Sequence, residues 1–322
     1  MINYDLKTAR AWSRMGPRAV YGQFLLQLAK ENENLVALSA DLGRSSGLNA
    51  FANELPSRYF NTGIAEQNLV GISAGLARSG FDVFSSTFAP FASLRAGEQV
   101  RMNMGYMQEP VKLVALASGF ALGFLGNSHF GIEDIAVMRA IPGITIVTPA
   151  DCFELYKCLE ALVGYEYPVY LRLTGGVGMP IVYDCDYEFQ VGKAQVLKEI
   201  TEITVLSHGT TVGHALKAVN KLAEEGVEIG LVNMHTIKPL DTDVIGVMAE
   251  KSKKIIVFEE HSVIGGLGSS VLEYLNQQHW NHLDVFVHGI GDNFPKTGSY
   301  DYMLKTHGLD SEGVKNSILS VI

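Results

Sequence analysis

The sequence predicts an α/β protein made of two parallel-sheet α/β domains, and three observations predict it. The chain has 322 residues, enough for two cores of ordinary size. Short, almost continuously apolar runs alternate with longer amphipathic stretches, as parallel strands covered on both faces by crossover helices require. The alternation breaks once, at the glycine- and aromatic-rich run GGVGMPIVYDCDYEFQVG, which has no helical period. We set the linker at residues 179–192, between domains at 1–178 and 193–322.

In chain order, the first domain offers strands at residues 35–38 (LVAL), 82–87 (DVFSST), 111–117 (VKLVALA), 144–147 (ITIV) and 169–173 (VYLRL). Helical periods fall between them, at 20–29, 67–78, 91–104, 132–140 and 153–162. The second domain offers strands at 203–206 (ITVL), 229–232 (IGLV), 255–258 (IIVF) and 285–287 (VFV). Its helical periods lie at 212–223, 243–248 and 267–275.

Composition excludes several classes. A net charge of −9 and a hydrophobic content of 47% describe a folded protein without a basic nucleic-acid footprint. Three cysteines and no CxxC argue for a reducing compartment without a disulfide framework. The charged N-terminus lacks the apolar core of a signal peptide, and the longest apolar stretch, residues 113–126, is too short to span a bilayer. We therefore expect a cytoplasmic protein with no membrane contact.

Five segments offer chemistry. Asn61-Thr-Gly-Ile-Ala-Glu66 follows a short strand-like segment and opens a helix, a junction where parallel sheets bind ligands. Glu66 has a plainer reading, as an acid complementing the helix dipole; a capping box fails, because Ala65 stands three residues after Thr62. Phe88 and Phe91 flank a strand-to-helix turn, where they would stack a flat heterocycle or pack the core. His129 lies among Gly119, Gly123, Gly126 and Gly131, in a loop matching neither a P-loop nor a GxGxxG fingerprint. Arg172 sits inside an apolar strand, where it must bind a substrate anion or end in an ion pair. Glu259-Glu-His261 leads through a glycine-rich turn into a helix.

The order and spacing of these segments resemble the C-terminal half of the transketolase family, with deoxyxylulose-phosphate synthase and the β subunits of 2-oxo-acid dehydrogenase E1 components as kin. The resemblance runs from Ser39-Ala-Asp-Leu42 through Gly63-Ile-Ala-Glu66, Phe88, Phe91 and Asn127-Ser-His129 to the Gly265-Gly-Leu-Gly268 turn. Arg139-Ala-Ile-Pro-Gly143 followed by Thr148-Pro-Ala-Asp151 is its most specific part.

The resemblance implies a thiamine-diphosphate pyrimidine-binding domain followed by a transketolase C-terminal domain. It implies that Glu66 hydrogen-bonds N1′ of the aminopyrimidine and so assists loss of the thiazolium C2 proton. Phe91, with Phe88 beside it, becomes the aromatic wall on the pyrimidine, and Asp41 an acid near the same cleft. His129 becomes a substrate-facing group, and Ser45 and Arg172 become holders of a sugar phosphate. The family's Gly-Asp-Gly…Asn motif for diphosphate and Mg2+ is missing, and Gly291-Asp-Asn293 stands outside its context. The resemblance thus implies no metal ligand in this chain, a separate N-terminal subunit carrying the diphosphate and Mg2+ site, and an α2β2 assembly. It also admits a 2-oxo-acid-using enzyme or a non-catalytic partner subunit.

The chain departs from the transketolase pattern at Leu125, Ala117 and Phe130, where an aspartate, a histidine and a glutamine are usual. These changes make the donor pocket more apolar. They predict an unusual, less hydroxylated or modified sugar, or a 2-oxo acid.

Overall fold

The computed structural model describes residues 4–322. Six strands of the first domain are β1 (Leu35–Ser39), β2 (Tyr59–Asn61), β3 (Asp82–Phe88), β4 (Lys112–Ser118), β5 (Thr145–Val147) and β6 (Val169–Thr174). All pair in parallel, in the order β5-β6-β4-β3-β1-β2. Every residue of β1, β3, β4, β5 and β6 is buried, which explains why these strands read as unbroken rather than alternating apolar runs. The second sheet contains β7 (Gln195–Lys198), β8 (Ile203–Ser207), β9 (Gly230–Asn233), β11 (Lys254–Ser262) and β12 (Asp284–Ile290), in the order β12-β11-β8-β9-β7. Only the edge strand β7 runs antiparallel there.

The strand β10 (Thr236–Lys238) crosses the expected domain boundary. It belongs to the second domain in sequence but pairs antiparallel with β5 and completes the first sheet. Lys238 reinforces this seam by donating from Nζ to the carbonyls of Arg139 (2.9 Å) and Ile141 (2.6 Å).

Helix starts follow from local chemistry. Asp151 caps Cys152–Leu162 by accepting from the amides of Phe153 and Glu154. Its other oxygen accepts from Val182 and Tyr183 in the linker, so one residue fixes both the helix and the chain's exit. Leu6–Met15, Tyr300–Thr306 and Ser311–Leu319 are helices that the periodicity did not single out; each begins on a capping Asp or Ser.

A buried polar seam joins the domains around Glu259, Glu260 and His261 at the end of β11. Glu259 accepts from the amides of Leu267 (2.7 Å) and Gly268 (3.1 Å) at a helix start. Burial nevertheless pushes its carboxyl up to about 7. Such a group contributes stability below its ordinary 4.5 and loses it as the pH rises through about 7. The buried His208 and His261 act in the opposite sense, since burial lowers them both, His261 to about 4. Their contribution is present above 6.5 and is lost as the pH falls through those lowered values. Glu259→Gln removes only the first effect. Relative to the parent, it should gain stability between pH 5 and pH 8, by up to about 3 kcal/mol. Urea unfolding across that range reads the difference; a pH-independent difference would mean that Glu259 stays charged throughout.

Candidate active site

The chain leaves β1 outwards to β2, then returns to β3 on the other side of β1 and continues to β4. The carboxyl ends of β1 and β3 therefore flank a topological switch point, where open α/β sheets bind ligands. Of the predicted site residues, Asp41, Glu66, Phe88, Phe91 and His129 gather at this end of the sheet, and Ser45 and Arg172 do not. Asp41 follows β1, Asn61 ends β2, Phe88 ends β3, and His129 lies on the loop after β4. Asp41 and Ala117 hold positive φ angles of 56° and 53° here, a strained geometry for residues with a Cβ.

Glu66 is the first residue of the helix Glu66–Arg78, yet it does not cap it; Ala65 occupies the cap without a side-chain bond. The carboxylate is instead buried, at 4% exposure, and accepts from Arg95 Nη1 at 2.7 Å. Arg95 comes from the helical stretch after β3, whose first segment, Phe91–Arg95, is a π turn. Its guanidinium carbon lies 3.9 Å from the centre of the Phe91 ring. The Phe91 ring in turn meets Phe88 at 5.9 Å and His129 at 5.4 Å, both edge-on. Glu66, Phe88, Phe91 and His129, more than sixty residues apart at the extremes, thus form one continuous cluster. A cleft of about 560 Å³ opens beside it, lined by Phe91, Leu94, Arg95, Ser128, Glu133 and Phe294 among others.

Asp41 is exposed and reaches the cluster indirectly. Its Oδ1 accepts from Asn61 Nδ2 (3.1 Å), and Asn61 Oδ1 accepts from the amides of Asp41 and Gly63. The pair braces the turn that delivers Glu66. Ser45 lies apart, beside Arg18 and Arg44 in a shallow basic depression of about 350 Å³.

Arg172 corrects an expectation. It does not face any substrate: the side chain is wholly buried. Its Nε donates to both oxygens of Asp134 (3.1 and 2.9 Å), and its Nη2 donates to the carbonyls of Gly131 and Glu260 (2.9 Å each). Of the two readings open in the sequence, the structure shows the ion pair; Nη1 has no partner among the described residues, but the side chain is 0% exposed and presents no accessible surface to a ligand. What Arg172 does is hold the base of the His129 loop. Gly119 and Gly131 close that base by exchanging backbone hydrogen bonds. Glu260 of the second domain accepts from the Phe120 amide at 2.6 Å on the other side. A Cβ on Gly119, whose φ is +63°, would lie 2.1 Å from Glu260 Oε1, so glycine is required at this contact.

Sequence reasoning missed Arg95, Glu133 and the basic pair Arg18 and Arg44. Only Arg95 left a readable trace: it stands four residues after Phe91, the spacing that stacks side chains on one helical face.

Residues 14–177 match the transketolase pyrimidine-binding domain, and residues 192–314 match the transketolase C-terminal domain. The chain belongs to the transketolase family. Its transketolase relatives include an apulose-4-phosphate transketolase subunit of Phocaeicola vulgatus, 40% identical over 306 residues, covering 95% of this chain and 97% of that protein. The 6-deoxy-6-sulfo-D-fructose transketolase subunit SqwH of a Clostridium species is 33% identical over 97% of this chain and 94% of its own. A solved split-gene transketolase, an inactive beta4 tetramer, superimposes with a TM-score of 0.84 at 37% identity, covering 94% of this chain and 97% of its own. The first two relatives are subunits named for different sugars, so membership of the transketolase family leaves the substrate open.

Proposed function

We propose that this chain is the C-terminal subunit of a split, thiamine-diphosphate-dependent transketolase that moves a two-carbon ketol unit between sugar phosphates. One observation carries the reading: a buried carboxylate, Glu66, and an aromatic ring, Phe91, are bridged by a single guanidinium at the switch point of the sheet. The planar Arg95 guanidinium already touches both groups, so a flat aminopyrimidine ring fits the same place, where its N1′, an acceptor, would meet Glu66 through a shared proton.

When bound, the cofactor supplies an electron sink for carbon–carbon bond cleavage. Glu66 would exchange a proton with the pyrimidine edge, and its burial would keep water from that contact. Phe91 would stack on the ring, with Phe88 edge-on against it, and Asp41 orients the Glu66 turn through Asn61. His129, half-buried against both phenylalanines, donates to or accepts from the donor substrate. Ser45, with Arg18 and Arg44, receives the sugar phosphate.

The chain carries no counterpart of the diphosphate motif, so we assign the diphosphate and Mg2+ to an N-terminal partner subunit, in an α2β2 assembly. Apolar side chains around the cluster support this: Ile64, Leu94 and Phe294 are 80%, 58% and 76% exposed beside Glu66, Phe91 and Arg95. The buried free thiols of Cys152 and Cys158 suit the reducing cytoplasm. Leu125, exposed on the His129 loop, together with Ala117 and Phe130, removes polar contacts from the donor side. The preferred donor should therefore be a less hydroxylated or modified ketose.

The test is reconstitution with an N-terminal subunit carrying Gly-Asp-Gly…Asn, plus thiamine diphosphate and Mg2+, against a donor panel. We expect ketol transfer only with all components present, and a donor better than xylulose 5-phosphate. Best turnover on xylulose 5-phosphate with ribose 5-phosphate would sink the substrate reading, and turnover confined to 2-oxo acids would favour the decarboxylating alternative. A complex that never exceeds one copy of each subunit would count against the α2β2 assembly.

A further inference from the structure

Arg95 makes two contacts at once. Its Nη1 bonds Glu66 at 2.7 Å, and its guanidinium carbon lies 3.9 Å from the Phe91 ring centre. A group that touches both must lie between them and cover the face of Phe91 that looks towards Glu66. Those are the two contacts that the proposed function gives to the aminopyrimidine, and this inference rests on that reading. Two flat groups cannot share one ring face. Either the cofactor is excluded, or Arg95 moves.

We propose that Arg95 is a built-in occupant of the pyrimidine position in the unloaded subunit, and that it leaves Glu66 for Glu133 when the cofactor enters. The resting arrangement has a clear physical benefit. A buried carboxylate without a partner is costly, and Arg95 satisfies Glu66 until the cofactor does so. The contact is also easily broken. The Arg95 side chain is 48% exposed, so water screens its charge and can solvate it on release.

Glu133 provides the second seat. It lines the same cleft as Arg95 and begins the helical stretch Asp134–Arg139 as its N-cap residue. It is half-buried and makes no ion pair with any cation among the described residues. Burial holds its carboxyl above the ordinary range, the condition of an acid that lacks its counter-ion. Moving Arg95 there would cover Glu133 and clear Phe91 in one step. The exchange taxes cofactor binding by the population of the closed form.

The measurement is calorimetric titration of thiamine diphosphate with Mg2+ into the full chain, mixed with its N-terminal subunit. Four proteins are compared: the parent, Arg95→Ala, Glu133→Gln and the double variant. Arg95→Ala should tighten binding by roughly 5-fold or more, because nothing has to leave the site. Glu133→Gln should weaken it, because the displaced arginine loses its seat. Glu133→Gln should have no effect once Arg95 is gone, and that non-additivity is the signature of exchange. Arg95→Lys, which keeps the charge but cannot lie flat on the ring, should bind more tightly than the parent and less tightly than Arg95→Ala. Thermal melts confirm that each variant folds.

Parent binding with an Arg95→Ala affinity that is unchanged or weaker overturns the inference and leaves the cofactor reading standing, as does strict additivity in the four proteins. Absence of thiamine diphosphate binding in all of them overturns both.

Discussion

Glu66→Ala should reduce ketol transfer by the reconstituted enzyme about 100- to 10,000-fold, the range for loss of a positioned proton-transfer group. Glu66→Gln should fall almost as far, because an amide keeps the shape and the hydrogen bond but cannot exchange the proton. The fold should survive both changes. The partner that Glu66→Ala releases is Arg95, which is half exposed and free to turn into water, so the stability cost should stay near 1 kcal/mol or below. The Glu66 carboxylate itself is removed rather than stranded. Steady-state turnover and melting temperature on the same preparations separate the two effects. Full activity in Glu66→Ala would revive the reading of this chain as a non-catalytic partner.

Arg172→Ala should have the largest effect on stability, costing about 3–5 kcal/mol. The substitution strands Asp134, which is 1% exposed, as an uncompensated charge in the interior. It also frees the carbonyls of Gly131 and Glu260, so the base of the His129 loop loses its anchor. A double variant, Arg172→Ala with Asp134→Ala, should be more stable than Arg172→Ala alone, because no lone charge remains buried. Urea unfolding of the two variants and the parent makes the comparison. A stable Arg172→Ala protein with only a raised KM for a phosphorylated substrate would contradict the buried ion pair and restore the phosphate role.

These two residues show how far the sequence could be read. The clustering of Glu66 with Phe88, Phe91 and His129 was foreseeable because their segments follow one another in linear order. Gly63-Ile-Ala-Glu66, the Phe88–Phe91 turn and the histidine loop each end a strand and open the next connection, and parallel βαβ units bring such ends together automatically. Arg172 was visible as an anomaly, an arginine in an apolar strand, but not as a role. Its partners Asp134, Gly131 and Glu260 come from three separate segments, and only their packing decides that no surface remains for a ligand.

The strand β10 makes the same point for the fold. Residues 236–238 lie within the second α/β series and carry no mark of leaving it. A three-residue edge strand has too short a pattern to reveal its sheet, and its pairing with β5 depends on how the domains dock. Arg95 makes the point for the site, since only the coordinates show its guanidinium on Phe91 and its bond to Glu66.

The sequence by itself determined the two α/β domains, the buried parallel strands, and the family to which the motifs belong. Burial forces apolar runs and chain order forces strand ends together, so both leave local marks in the sequence. Tertiary structure alone decided which charges are paired, what holds the histidine loop, and what covers the Phe91 ring. Those depend on distances between residues far apart in the chain, and a linear pattern carries no record of them.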